Sequence, residues 1–543
     1  MQKTSLSFRK DVRRLKFETL EDRALLSVTP ADFVAIQEQY PDLQLDTYES
    51  YNLIEITPDQ LTDAKIRDAI QEAETTAASD LIVVRTTDAQ NEITLDGTEL
   101  AININAPEKG SVTIVSFGGE KLTIDANKQS RVLSLSNNTS VALAGLVITN
   151  GNTSSSGGGI DNAGTLTITN SMISENTSSS DGGIYNVGTL IITNSMISGN
   201  TASSGGGIYN VGTLAITNST IAENMASSGG GVWSSLGTSR TLTITNSTIT
   251  GNTASSGSGG GIWNYSGTSS ALTITNSTIV GNMASSDGGG INSTGSSRAI
   301  TTIMDSTISG NTASSGSGGG IWISTGTAGT LIIMDSMVSG NTASLNGGGI
   351  NCVNSSSSIL IITNSTISEN TVSSGSGGGI YHAGSNSTST FTNSSIVGNI
   401  ASNGGGIYRD GSNSTSTITN STIAGNTASS NGGGIYRVGS NSTSTINNSI
   451  IAQNTQSDIV KSSNSLTVQG FNNLTSFSAW NGSSGSNLIY DPSLPLFVDP
   501  ANGDYHLAER SQAIDRGDDT FAVDSAGNSL VYDVTGEMLR KLG

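Results

Sequence analysis

The segment GGGIYNVGTLAITNSTIAENMAS at 205–227, or a close variant of it, recurs eleven times between Ile160 and Asn454. A chain that repeats one short unit so often must bury each unit against its neighbours, so the repeat selects a stacked solenoid before any single residue is considered. The Ile or Val after the glycines stands at 160, 184, 208, 232, 262, 291, 321, 350, 380, 407 and 435, and the spacings run from 24 to 30 residues.

Within one unit, Leu214 and Ile216 alternate with Ala215 and Thr217, and Ile221 follows a short break. An apolar period of two belongs to strands. The units are built from Thr, Ser, Asn, Ile and Gly, which favour strands and turns and exclude a helical solenoid. Each unit offers three short strands, such as GIYN, TLAIT and STIAE, enough for one coil of an all-β, single-stranded parallel β-helix, with right-handed winding as the default. With successive strands roughly 4.8 Å apart, eleven coils make a rod on the order of 50 Å long. The period varies because segments such as SSLGTSR (234–240) and SGS (257–259) are inserted at corners, where loops are tolerated.

Four regions follow: a targeting segment at 1–30, an N-terminal region with a capping helix at 31–80, the β-helix at 81–460, and a cap or anchor-like tail at 461–543. In the second region Thr62 is placed to cap a helix whose Ile66, Ala69, Ile70 and Ala73 share one face, with Leu61 and Ile66 spaced for a hydrophobic staple. Such a helix covers the open end of a solenoid, and the first strand is expected at LIVVR, 81–85.

Two Asn columns mark the corners: the TN corner carries Asp only at 305 and 335, and the GN or EN corner carries Asn in every unit. Both are expected to be structural, through stacked amides and left-handed backbone. The outward column beside the inward Ile is aromatic in eight of eleven coils: Tyr185, Tyr209, Trp233, Trp263, Trp322, Tyr381, Tyr408 and Tyr436. Aromatic faces at strand spacing stack on one another or on sugar rings, so these are the candidate glycan-contact residues. Thr pairs such as 243/245 and 273/275 form a second outward face, but Ile191, Ile332, Met334 and Ile361 interrupt the hydroxyl array that an ice-binding surface needs.

The net charge of −20 is uneven, since residues 151–460 hold only four basic and ten acidic side chains. Four basic residues along a rod cannot build the stripe that nucleic acid requires. No apolar run is long enough for a transmembrane helix. His382, Arg409 and Arg437 recur in three successive coils beside Asp410, and read as a corner patch able to grip an anionic ligand such as an acidic glycan. Asp305 and Asp335, one coil apart, are the candidate carboxylates for calcium, the one cofactor worth testing. Cys352 is the only cysteine, which excludes an internal disulfide and implies a packed free thiol; His506 is expected to pack in the terminal cap. Catalytic residues are not assignable, because a base needs a matched carboxylate or metal pocket.

Three stretches resemble known families. GGGIYN, TLTITNSTI and SGNTA resemble the repeats of polymorphic outer-membrane-protein-like β-helix surface proteins over roughly 80–460. FETLEDRALLS at 17–27 resembles the LEPR-x-LL segment of large planctomycete surface proteins, with Asp22 in place of the Pro. DPSLPLFVDPANGDYHLAERSQAIDRGD at 491–518 resembles the tail of bacterial β-helix proteins with a choice-of-anchor region, Gln512 replacing a Pro. Together they imply a secreted or cell-surface bacterial rod, structural or adhesive; with the aromatic column, the expected partners are polysaccharide or cell-surface components. The competing expectation is a pectate-lyase-like polysaccharide lyase or hydrolase, since such enzymes share the β-helix.

Overall fold

A computed structural model describes residues 28–104, 110–237, 241–482 and 486–518. FETLEDRALLS at 17–27, the last three residues of the 234–240 insertion and the chain beyond Asp518 lie outside the described residues. The chain winds into a parallel β-solenoid of about 15 turns. Three long sheets run along it. The first has 16 strands and begins with β1 (Tyr51–Ile56) and β2 (Ser79–Thr86); the second has 16, from Glu92–Thr94 to Leu488–Ile489; the third has 14, from Leu100–Ile102 to Ile459–Lys461. A fourth sheet of eight short strands, from Met225–Ala226 to Thr427–Asn431, occupies a corner where the alternation shows no strand.

Each strand pairs with its counterpart one coil away, like on like: Ile184 with Ile208, Leu190 with Leu214, Ile192 with Ile216. The 234–240 insertion leaves this register intact, for Leu214 still faces Leu242. One coil points Ile208, Asn210, Leu214, Ile216, Ile221, Asn224 and Ala226 inward, none more than 2% exposed. Ile208, Leu214, Ile216 and Ile221 join one continuous core from Ile54 to Val468. Each buried Ile or Leu contributes about 1.5–3 kcal/mol, so the core renews itself coil by coil.

The two Asn columns work differently. Asn170, Asn194, Asn218 and their successors adopt left-handed backbone at the TN corner, and Asp305 and Asp335 do the same with φ of 50° and 49°. At the GN corner the left-handed residue is instead the one before Asn, such as Glu175, Gly199 or Glu223. That Asn is free to turn inward. Asn200 donates from its backbone N–H to Asn224 Oδ1 (3.0 Å) and from Nδ2 to the same oxygen (2.9 Å), and also reaches back to the Ile173 carbonyl (3.0 Å). The same ladder runs from Asn176 to Asn454, fully satisfied inside the solenoid. The glycine runs have a steric cause: a Cβ on Gly206 would lie 2.5 Å from the Gly230 carbonyl oxygen, and one on Gly207 would lie 2.7 Å from that of Gly231.

Two helices attend the first coils, α1 (Pro30–Gln39) and α2 (Asp63–Thr75). Thr62 Oγ1 accepts from the Lys65 N–H (3.3 Å), and Ile66, Ala69, Ile70 and Ala73 are buried in the solenoid core with Leu61 packed beside them. The lid is therefore present, but β1 precedes it, so the first sheet starts at Tyr51 rather than near residue 80. Helix α1 lies outside the rod, where Phe33, Ile36 and Tyr40 cover the outward residues Leu81, Val83, Val115 and Ala144. At the other end Phe477 and Trp480 pack against the core, and an antiparallel hairpin (Phe497–Asp499 with Asp504–Leu507) folds back over Val397, Ala424 and Ala452.

Candidate functional site

The aromatic column is built by the third sheet. Tyr185, Tyr209, Trp233 and Trp263 stand in register on consecutive coils, with their inward neighbours Ile184, Ile208, Val232 and Ile262 anchoring each strand. Tyr185 stacks on Tyr209 at 5.6 Å between ring centres, Tyr209 on Trp233 at 4.1 Å and 9°, and Trp233 meets Trp263 edge-on at 5.8 Å. A second stack joins Tyr381 to Tyr408 at 5.0 Å and 5°, with Tyr436 edge-on beyond it at 5.5 Å. Asn292 and Asn351 stand in register with Trp322 on either side, so the ladder is divided into two runs with Trp322 between them. Every ring is half-buried, because the first glycine of each run lies beneath it: a Cβ on Gly229 would meet Trp233 Cβ at 2.7 Å. Burial, reinforced by Asp181, pushes the Tyr209 hydroxyl up to about 12, and burial raises that of Tyr408 to about 12 as well. These phenols stay neutral; Tyr209 has a ring on each face, Tyr185 and Trp233, and Tyr408 lies flat on Tyr381.

Asp305 and Asp335 are adjacent and exposed at the TN corner. Asp335 Oδ1 accepts from Asn364 Nδ2 (3.0 Å), continuing the amide column. Among the described residues no group of three His, Cys, Asp or Glu side chains is arranged to hold a metal ion. The pair thus has the placement of corner residues, with two carboxylates as the only charged donors.

The anionic-ligand patch is corrected by the structure. His382, Arg409 and Arg437 are not on a corner; they are 0%, 2% and 1% exposed, inside the solenoid. The reason is the strand period: Ile380 points in, Tyr381 out and His382 in, and the same phase places Arg409 and Arg437. Cys352 belongs to this inward column too, with its thiol pushed up to about 12 by burial. No glycan on the surface reaches these groups. His382 Nε2 pairs with Ser358 Oγ (3.0 Å) and Nδ1 with Ser389 Oγ (2.9 Å); burial, and then the two arginines, hold its pKa well below the ordinary value. His506, expected in the terminal cap, is exposed and pairs with Asp504 (2.6 Å).

Sequence reasoning missed this inward polar column, which begins with Asn162, Asn186 and Asn210 linked by amide bonds of 2.7 and 2.6 Å. The signal was the N of GIYN, two places after the inward Ile. No helix among the described residues is long and apolar enough to cross a membrane. Compared with known protein families the chain matches none, and no curated protein matches it.

Proposed function

We propose that this chain is an exported, non-catalytic structural and adhesive rod whose aromatic ladder contacts polysaccharide. The observation that carries the reading is the run of four in-register rings, Tyr185, Tyr209, Trp233 and Trp263, held half-exposed by glycine turns. Ring faces and edges at strand spacing suit the apolar faces of sugar rings, and a rod presents them in a line. Export rests on the likeness of Leu20, Glu21, Arg23, Leu25 and Leu26 to the LEPR-x-LL segment.

The test is co-sedimentation of the full chain with neutral and acidic polysaccharides, with newly formed sugar ends measured in the same samples, in calcium and in chelator. Retention without new ends, lost in Tyr209→Ala/Trp233→Ala, supports the adhesive rod. Calcium-dependent release overturns it in favour of a lyase or hydrolase and directs mutagenesis to Asp305 and Asp335. Absence of retention leaves a purely structural rod and removes the glycan role.

A further inference from the structure

Inside the last coils the solenoid holds two buried cations with which no carboxylate among the described residues pairs. Arg409 donates from Nη1 to the carbonyls of His382 (3.2 Å) and Asp410 (2.6 Å) and from Nη2 to that of Ser387 (3.1 Å), which leaves Nε without a partner. Arg437 donates only from Nη2, to the Ser414 carbonyl (3.0 Å), so its Nε and Nη1 are unpartnered. The two residues are in register on adjacent strands. Lys461 follows Arg437 in the same column, so the charge is not relieved one coil further on. Asp410 lies on the opposite side of its strand, with its side chain in the outward phase; its charge favours both arginines from a distance without pairing with either. A buried charge without a paired counter-charge is strongly unfavourable, and three buried guanidinium nitrogens without acceptors add to that.

The repeat shows that this arrangement is built. In the coils where the inward column is Asn162, Asn186, Asn210, Ser234, Asn264 or Cys352, the facing inward position of the first sheet is Leu166, Leu190, Leu214, Leu242, Leu272 or Leu360. In the three coils of His382, Arg409 and Arg437 the same position is Ser389, Ser416 and Ser444. A large nitrogen-bearing side chain and a small hydroxyl replace a small side chain and a large apolar group together. Beside these groups lies a cavity of about 10 Å³, lined by Arg409, Arg437, Ser416 and Ser444 and otherwise by apolar side chains such as Ile435 and Ile446. That is room for one water-sized particle and not for a polyatomic oxyanion.

We propose that this cavity binds one small monovalent inorganic anion, a halide such as chloride, held between the guanidinium groups of Arg409 and Arg437 and walled by Ser416 and Ser444. A halide can accept from several N–H groups at once and supplies the missing negative charge, whereas a water molecule accepts from two at most and brings no charge. The anion is a structural counter-ion that fixes the stacking of the last coils, independent of any surface ligand.

The test uses the full chain crystallised with bromide in place of chloride, and its thermal unfolding in sodium bromide or chloride against sodium acetate at equal ionic strength. The expected results are anomalous bromide density between the two guanidinium groups and a midpoint higher in halide by about 2 °C or more. The variant R409N/S416L/R437N/S444L restores the Asn and Leu pairing of the earlier coils, and is expected to lose both the density and the halide dependence. Wild-type crystals without bromide density at this place, or a halide dependence that persists in the variant, overturn the proposal. The density measurement on the wild-type chain stands whether or not the variant folds.

Discussion

Replacing Asn311 by Ala removes one rung of the buried amide ladder. Asn311 Oδ1 accepts from the Asn282 backbone N–H (2.9 Å) and from Asn282 Nδ2 (3.0 Å), while its own Nδ2 donates to the Ile279 carbonyl (3.0 Å) and to Asn341 Oδ1 (3.0 Å). The substitution leaves the Asn282 N–H buried without an acceptor, which costs about 1–3 kcal/mol, and deletes three further bonds of about 0.5–1.5 kcal/mol each. The sum is about 5 kcal/mol at the midpoints of these ranges, large for one residue. Because each coil touches only its neighbours, the loss is local first: amide exchange in the coils of Asn282 and Asn311 accelerates before the ends respond. Hydrogen exchange read by mass spectrometry, with a urea midpoint for the whole chain, measures both. Asp305→Asn in the same coil is the control, an exposed left-handed corner where the expected change is under about 0.5 kcal/mol. An Asn311→Ala chain that loses less than about 1 kcal/mol and keeps wild-type exchange at Asn282 refutes the argument that the ladder holds the coils together.

Three other outcomes are expected. Burial keeps folded His382 neutral well below the ordinary value of 6.5, while the unfolded chain protonates there, so stability falls as pH drops below about 6.5 by about 1.4 kcal/mol per unit; urea midpoints at pH 7 and 5.5 should show this component in the wild type and not in His382→Asn. Gly206→Ala places a Cβ 2.5 Å from the Gly230 carbonyl oxygen, which predicts a loss of about 2 kcal/mol or more in the same urea assay. The fully buried Cys352 thiol, pushed up to about 12, should not react with an aromatic disulfide reagent until the chain is unfolded, as absorbance with and without denaturant will show.

What the sequence determined by itself is whatever repeats. The alternation at Leu214 and Ile216, the glycine runs and the recurrent Asn specify coils, their stacking and the aromatic column, because each feature is local and each coil restates it. The lid helix was also legible, since Thr62 and the spacing of Ile66, Ala69, Ile70 and Ala73 are signals within one helix. What only the tertiary structure decided is whatever occurs once or depends on phase. Helix α1 on the outer face, Asp42 bonded to Asn194 and the tail hairpin over Val397 and Ala424 join segments far apart in the chain, and no period announces them. The interior of the last coils is the sharper case. Charge alone argues that His382, Arg409 and Arg437 face water, but a strand cannot turn one residue outward without turning its neighbours too, and Ile380, Ile407 and Ile435 are held in the core. The apolar anchor sets the phase, and the arginines two places on are carried inside with it.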